Sequence, residues 1–347
     1  MDEKLNIDGS QKAFNPNGVG LRNGHFIGLP FKEEDARVVV ISIPWDVTVS
    51  YGAGTADGPD SILTASCQLD LEDEAIPNAW QIGLFVKPPS KTIRTASADL
   101  RSLAEPYINL LEEGTDPELI SDQIIPINLS CQELHESVYH EAKRLLGSGK
   151  IPGLLGGDHS TPYGLIKALL ERYPDLGILQ IDAHMDLRQA YEGFEWSHAS
   201  IFYNVMHRLP VKKLVQVGIR DFCKEEVDFA HHHQDRISFH TDRALRRSLF
   251  KGSSFGEICK KIIAPLPMEV YISFDIDGLD PSLCPGTGTP VPGGLSIQEA
   301  FYILELVKES GRKIIGFDLC EVAGNNNWDA NVGARVLYKL ANLAGSQ

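Results

Sequence analysis

Three short segments of this chain concentrate side chains that hold cations or move protons: Gly156-Gly157-Asp158-His159-Ser160, Asp182-Ala183-His184-Met185-Asp186 and Asp275-Ile276-Asp277. Each follows an aliphatic run that reads as a buried strand, respectively Leu154-Leu155, Leu176 to Ile181, and Val270 to Phe274. Alone, an Asp after a strand is a turn residue or helix cap, and a lone His is a hydrogen-bonded structural residue. Together these segments would crowd five carboxylates and two imidazoles onto one sheet edge, where like charges repel and desolvation adds to the cost. Cations would resolve that conflict. In extended backbone alternate side chains share a side, so Asp182, His184 and Asp186 project together, as do Asp275 and Asp277. With His159 they form a set of six O and N ligands, enough for two divalent ions if carboxylates bridge. A carboxylate and imidazole set without thiolate suits Mn²⁺ and, less specifically, Ni²⁺, Co²⁺ or Zn²⁺.

The elements that must position these residues are legible as seven β-branched or aliphatic runs, at 38–41, 82–86, 151–155, 176–181, 214–217, 270–274 and 313–317. They are continuous rather than alternating, as in strands buried on both faces. Helical spacing fills stretches between them, at Glu133 to Leu146, Thr161 to Arg172 and Ile297 to Glu309, the last with Ser296 as its cap. Alternating strand and helix predicts a parallel sheet with helices on both faces. No linker, charge block or repeat divides the chain, so residues 31–347 read as a single domain behind an irregular N-terminal arm, residues 1–30, rich in Asn and Gly. Gly52-Ala53-Gly54 reads as a turn rather than a dinucleotide fingerprint. His231-His232-His233 reads as a helix end, since three consecutive helical positions cannot chelate one ion.

A length of 347 residues allows one large α/β domain or about two smaller ones. The formal charge of −15 argues against a nucleic-acid or anionic-membrane surface, both of which require Lys and Arg. Met1-Asp2-Glu3-Lys4 carries acid where a signal peptide is basic, and no run is long enough to span a membrane. Cys67, Cys131, Cys223, Cys259, Cys284 and Cys320 show no paired spacing, which suits a reducing compartment. A cytoplasmic chain is expected.

The three metal-type segments, with Ser273-Phe274-Asp275-Ile276-Asp277-Gly278-Leu279-Asp280-Pro281, resemble the signature segments of the ureohydrolase (arginase/agmatinase) superfamily. The resemblance runs on through Gly286-Thr287-Gly288-Thr289-Pro290, Gly293-Gly294-Leu295 and Asp318-Leu319-Cys320-Glu321-Val322, and spans about residues 36 to 345. It implies an arginase-like fold, a three-layer α/β/α unit around a central, mainly parallel eight-stranded sheet. It also implies two Mn²⁺ ions (Ni²⁺ being the alternative), one on His159, Asp182, Asp186 and Asp275, the other on Asp182, His184, Asp275 and Asp277. A hydroxide between them would attack a guanidinium or amidine carbon. Glu321 falls where the family pairs a carboxylate with the guanidinium, and His198 where it places a proton-transfer histidine. Asp221 and Trp196 are expected in the substrate pocket beside them. The partners implied are a small cationic guanidino or amidine substrate and further copies of the chain, as a trimer or hexamer.

The choice of substrate follows from departures. Leu187 to Trp196 lacks the Ser/Asn/Thr-rich loop that anchors arginine's α-groups in arginases, and Cys223 stands where they carry an Asp. Asp186-Leu187-Arg188 resembles formiminoglutamases, whereas the His198 segment resembles agmatinases. The expectation is an agmatinase-like hydrolase releasing urea and an amine. Guanidine hydrolase, guanidino-acid hydrolase, formiminoglutamase and a catalytically silent assembly or regulatory relative are the alternatives.

Overall fold

The computed structural model describes residues 14–347. Its strands are β1 (Val38–Ile43), β2 (Leu84–Val86), β3 (Ile151–Gly156), β4 (Gly177–Ile181), β5 (Lys213–Ile219), β6 (Ile237–Thr241), β7 (Glu269–Asp275) and β8 (Lys313–Cys320). They form one sheet in the order β2-β1-β3-β8-β7-β4-β5-β6, and every pairing is parallel. Helices cover both faces, giving three α/β/α layers. That cover explains the continuous apolar runs: β1 and β4 are buried along their whole length.

Seven of the eight strands coincide with the apolar runs. The eighth, β6, is Ile237-Ser238-Phe239-His240-Thr241 at the sheet edge, where only Ile237 is fully buried. An edge strand alternates instead of running apolar, so the continuity criterion passes over it.

The helix Ile297–Glu309 has the expected bounds. Ser296 accepts from Glu299 N at 3.2 Å while Glu299 Oε2 accepts from Ser296 N at 2.8 Å, a capping box that stabilises the helix by about 1 kcal/mol. The helix Ile125–Gly147 begins a further two turns before Glu133, and Lys224–His232 ends on the first two of the three consecutive histidines. Of the N-terminal arm, residues 1–13 lie outside the described residues. Residues 14–25 have no regular element, and Phe26 and Ile27 are buried in the main core, where Ile27 N donates to Ser66 Oγ at 2.8 Å.

Parallel register levels the carboxyl ends of the central strands. Ile181 pairs with Phe274, Asp275 with Cys320, and Leu155 with Leu319. The segments that follow β3, β8, β7 and β4 therefore emerge side by side, at the edge where ligands collect in α/β sheets. No helix among the described residues is long and apolar enough to cross a membrane.

Candidate metal centre and substrate cleft

Asp182 directly follows β4, Asp275 ends β7, Asp277 sits in the 3-10 turn Ile276–Gly278, and His159 follows β3. His159 Nδ1 lies 3.1 Å from Asp182 Oδ2, 3.1 Å from Asp186 Oδ2 and 3.2 Å from Asp275 Oδ2. His184 Nδ1 lies 3.0 Å from Asp277 Oδ2 and 3.6 Å from Asp182 Oδ1. Asp182 thus turns one oxygen to each histidine. Two groups result, His159–Asp182–Asp186 and Asp182–His184–Asp277, each with ligating atoms within 4.8 Å of one another. All six residues of the sequence set come together.

The chemistry of this donor set fits cations. His159 Nε2 lies 2.9 Å from Ser273 Oγ, which donates to Asp318 Oδ2 at 2.7 Å. With Ser273's proton committed to Asp318, Ser273 accepts from Nε2–H, leaving the Nδ1 lone pair facing three carboxylates. That Nδ1 is buried and has no hydrogen-bond partner. Among the described residues no lysine or arginine ion-pairs with Asp182, Asp186, Asp275 or Asp277; their ionic neighbours are the two histidines.

Titration shows the same conflict. Burial opposes charge on His159, but the Asp182, Asp186 and Asp275 carboxylates outweigh it and raise its pKa well above the usual value. His184 rises likewise against burial, under Asp277 and Asp182. Burial and the neighbouring Asp182 push Asp186 up to about 7, and burial with Asp277 pushes Asp275 well up. Without a cation the acids hold protons that a metal would replace.

Local backbone is bent to aim these groups. Asp186 and Glu321 both hold left-handed φ angles, 53° and 64°, which cost non-glycine residues energy and cluster at functional sites. The carbonyl of Asp186 accepts Phe202 N at 3.0 Å and Tyr203 N at 3.1 Å, while Glu321 N donates to Gly157 O at 2.8 Å. Thr287 Oγ1 donates to Glu321 O at 2.9 Å. These contacts hold both bends.

Glu321 Oε1 accepts His159 N at 2.8 Å, and the side chain lines a narrow cleft with His198, Tyr51, Gly52 and Gly288. Burial and the nearby Asp158 raise the Glu321 carboxyl well above the ordinary range. His198 is pushed down to about 4 by burial and by the facing His184 and His159, so it is neutral at pH 7. A second cleft opens beside the ligands His184 and Asp186, lined also by Arg188, Asp221 and Phe222. Asp221 stands at its rim with a side chain 69% exposed, 3.9 Å from His184 Nε2.

Trp196 is not brought to either cleft. Its indole is buried against His135 and Tyr163, at centroid distances of 4.6 and 4.9 Å, with the Arg208 guanidinium over its ring. Its place is core packing behind the site.

Sequence reasoning missed the layer beneath the ligands. Gln180 Nε2 donates to Asp182 Oδ2 at 2.7 Å, and Gln216 Nε2 donates to Gln180 Oε1 at 2.6 Å. Asp318 accepts from Ser273 and from Phe274 N. The signal was a polar residue interrupting an otherwise apolar buried strand: Gln180 in β4, Gln216 in β5, Ser273 in β7 and Asp318 in β8. His159, Asp318 and Cys320 also lie close enough to share an ion. Ser273 already occupies the Nε2 side of His159, so that group supports the centre from behind.

Residues 36–343 match the Arginase family. An N(1)-aminopropylagmatine ureohydrolase of Thermus thermophilus is 32% identical over 90% of this chain and 92% of its own. An agmatinase of Bacillus anthracis is 30% identical over 84% of each. The crystal structure of the agmatine ureohydrolase of Thermoplasma volcanium superposes with a TM-score of 0.71 at 23% identity, covering 93% of this chain and 95% of that one. A His/Asp centre with the makings of a binuclear metal site, on an eight-stranded parallel sheet and with matches of this extent, places the chain in the arginase (ureohydrolase) family.

Proposed function

We propose that this protein hydrolyses a guanidino compound of the agmatine type: R–NH–C(NH2)2⁺ and water give R–NH3⁺ and urea. The observation that carries the reading is Glu321, a buried carboxylate that forms no ion pair with a lysine or arginine among the described residues, opening with His198 onto a cleft next to the six-ligand cluster. His159, Asp182, Asp186 and Asp275 would hold one divalent ion and Asp182, His184, Asp275 and Asp277 the other, with Mn²⁺ the first candidate and Ni²⁺ the second. When bound, such ions acidify water toward neutral pH, which an electrophile as poor as guanidinium requires.

The chain's own residues do the rest. Glu321 pairs with the planar cation and orients it, and that pairing draws its carboxyl back to the ionised form. His198 is neutral at pH 7, so it takes a proton before it gives one; it serves as a shuttle from water to the departing amine rather than as a standing acid. Asp221, exposed at the rim of the cleft beside His184, would meet the substrate's tail.

The agmatinase and aminopropylagmatine ureohydrolase names of the relatives favour an aminoalkyl tail. Arg188 favours a second reading, a guanidino acid, because its guanidinium lies over the Tyr191 ring at the cleft where a carboxylate could meet it. A urea-release assay with Mn²⁺- and Ni²⁺-loaded protein over agmatine, aminopropylagmatine, guanidine, guanidinobutyrate, guanidinopropionate and arginine separates the readings. Formiminoglutamate is scored by formamide. Turnover of the aminoalkyl guanidines is expected; no product from any compound, with two ions bound, would sink the proposal.

A further inference from the structure

Asp182 and Asp275 sit at strand ends, but Asp277 stands in the turn Ile276–Gly278, beyond the last rung that pairs β7 with β8. Something other than the sheet has to aim it. Its Oδ1 accepts Ala183 N at 3.0 Å, which leaves Oδ2 to face His184 Nδ1. The Ala183 carbonyl in turn accepts Arg220 N at 2.7 Å. The Arg220 side chain then closes a ring, because its Nη2 donates to the Asp277 carbonyl at 2.7 Å. Asp277 is thereby held through both its side chain and its main chain by the first residue after β5.

The same guanidinium donates to Leu279 O at 3.1 Å, to Gly218 O at 3.1 Å, and to Val291 O at 3.1 Å from Nε and 2.9 Å from Nη2. Every one of these acceptors is a backbone carbonyl, and among the described residues Arg220 makes no ion pair. A cation spent wholly on carbonyls fixes geometry rather than neutralising acid. Room for it comes from Gly294, whose φ of 99° suits glycine and where a Cβ would lie 2.9 Å from Arg220 Nη2. The ligands around His159 are tied differently. Asp186 O accepts Phe202 N and Tyr203 N, Leu187 N donates to the buried Glu226 Oε1 at 3.1 Å, and His159 itself leans on Ser273. None of those ties passes through Arg220.

We infer that Arg220 is the positioning residue for one ion of the pair, the one on His184 and Asp277, and leaves its neighbour's ligands alone. The inference rests on the two-ion reading above. Arginine is required because a planar fork reaches three segments at once, whereas the donors of a lysine ammonium converge on one atom.

The test is Mn²⁺ titration of the full chain, read by calorimetry and by electron paramagnetic resonance of the bound ions. The unaltered protein is expected to take two ions that couple magnetically. Arg220→Lys is expected to weaken one of them by about 10- to 100-fold, the range for residues that support metal ligands, and to show an uncoupled single-ion spectrum at concentrations that fill the parent. Adding His184→Ala to Arg220→Lys should then cost no further ion. Two ions kept at the parent's affinities, or both weakened alike as a general loosening would do, overturns the role. Hydrogen exchange of the metal-free, unaltered chain needs no folded variant. The amides of Ala183, Asp277 and Leu279 are expected to be protected before Mn²⁺ is added, since Arg220 builds the turn without it. Protection that arises only on adding Mn²⁺ would overturn the inference. Fewer than two ions on the unaltered chain would instead overturn the two-ion reading, and this inference with it.

Discussion

Lys339, buried on the helix Asn327–Gly345, lies 2.9 Å from Asp73 Oδ1 and 2.7 Å from Glu305 Oε1. At the ends of β4 and β7, by contrast, four aspartate carboxylates meet two imidazoles and, among the described residues, form no ion pair with a lysine or arginine. Both regions bury charge. In the first, the chain supplies its own counter-ion: burial lowers the lysine pKa, and the two carboxylates more than reverse it. In the second, the counter-ion has to come from outside. A buried charge cluster that the sequence could have neutralised and did not is where an external cation belongs.

The sharpest way to break this contrast is Asp275→Ala, which removes an acid placed between the two proposed ions. Metal content measured after dialysis is expected to fall to background, with urea release lost. A variant retaining two ions would refute the assignment. Next comes His198→Ala, expected to keep both metals while turnover drops roughly 10²- to 10⁴-fold; an unchanged kcat would return His198 to a structural role.

Lys339→Ala should do the opposite, leaving urea release per folded molecule intact and costing on the order of 2 to 3 kcal/mol in denaturant unfolding. That figure lies below the value for fully buried pairs because Glu305 is partly exposed. Ser273→Ala leaves all six ligands but unties His159 from Asp318, and a rise in metal Kd of about 10- to 100-fold is expected from titration calorimetry.

The smallest effect is on the pH dependence of the metal-free protein. Asp186, with its folded pKa raised to about 7, binds more protons folded than unfolded, so its contribution falls as pH rises from about 4 to 7. His159 and His184, also raised, contribute stability that is complete below their unfolded values and is lost as pH climbs through the folded ones. All three act in one direction. Burial pushes His198 down to about 4 and His135 down to about 3, which opposes them below pH 6.5, while Asp158, raised to about 7, and the raised Asp275 and Glu321 act with them and outnumber the opposing pair. The metal-free chain should therefore have a higher Tm near pH 5 than near pH 7.5, and added Mn²⁺ should reverse that order. The Lys339 group, far from lysine titration, should not move.

The six ligand positions were legible because charge at a strand end contrasts with an apolar run, and because alternation fixes which residues share a side. Glu321 and His198 were legible only through resemblance. A single acid after β8 and a single His before a short helix carry no local signal of their own. What one sequence hid was long-range packing: Trp196 packs inward against His135 and Tyr163, and Gly52 approaches Gly288 across more than two hundred residues. The edge strand β6 was hidden for a different reason, since half-covered strands lose the continuous apolar pattern that marks central ones.

The strand order also sets the timing of assembly. β3 and β7 do not touch; β8, the last strand made, lies between them. Without β8 the strand order falls into two half-sheets, β2-β1-β3 carrying His159 and β7-β4-β5-β6 carrying the aspartates, and Glu321 follows β8. Non-local parallel pairing of this kind is slow. The candidate centre is therefore completed only when β8 joins the sheet, and a chain cut before about residue 320 cannot bring His159 and the aspartates into the finished geometry.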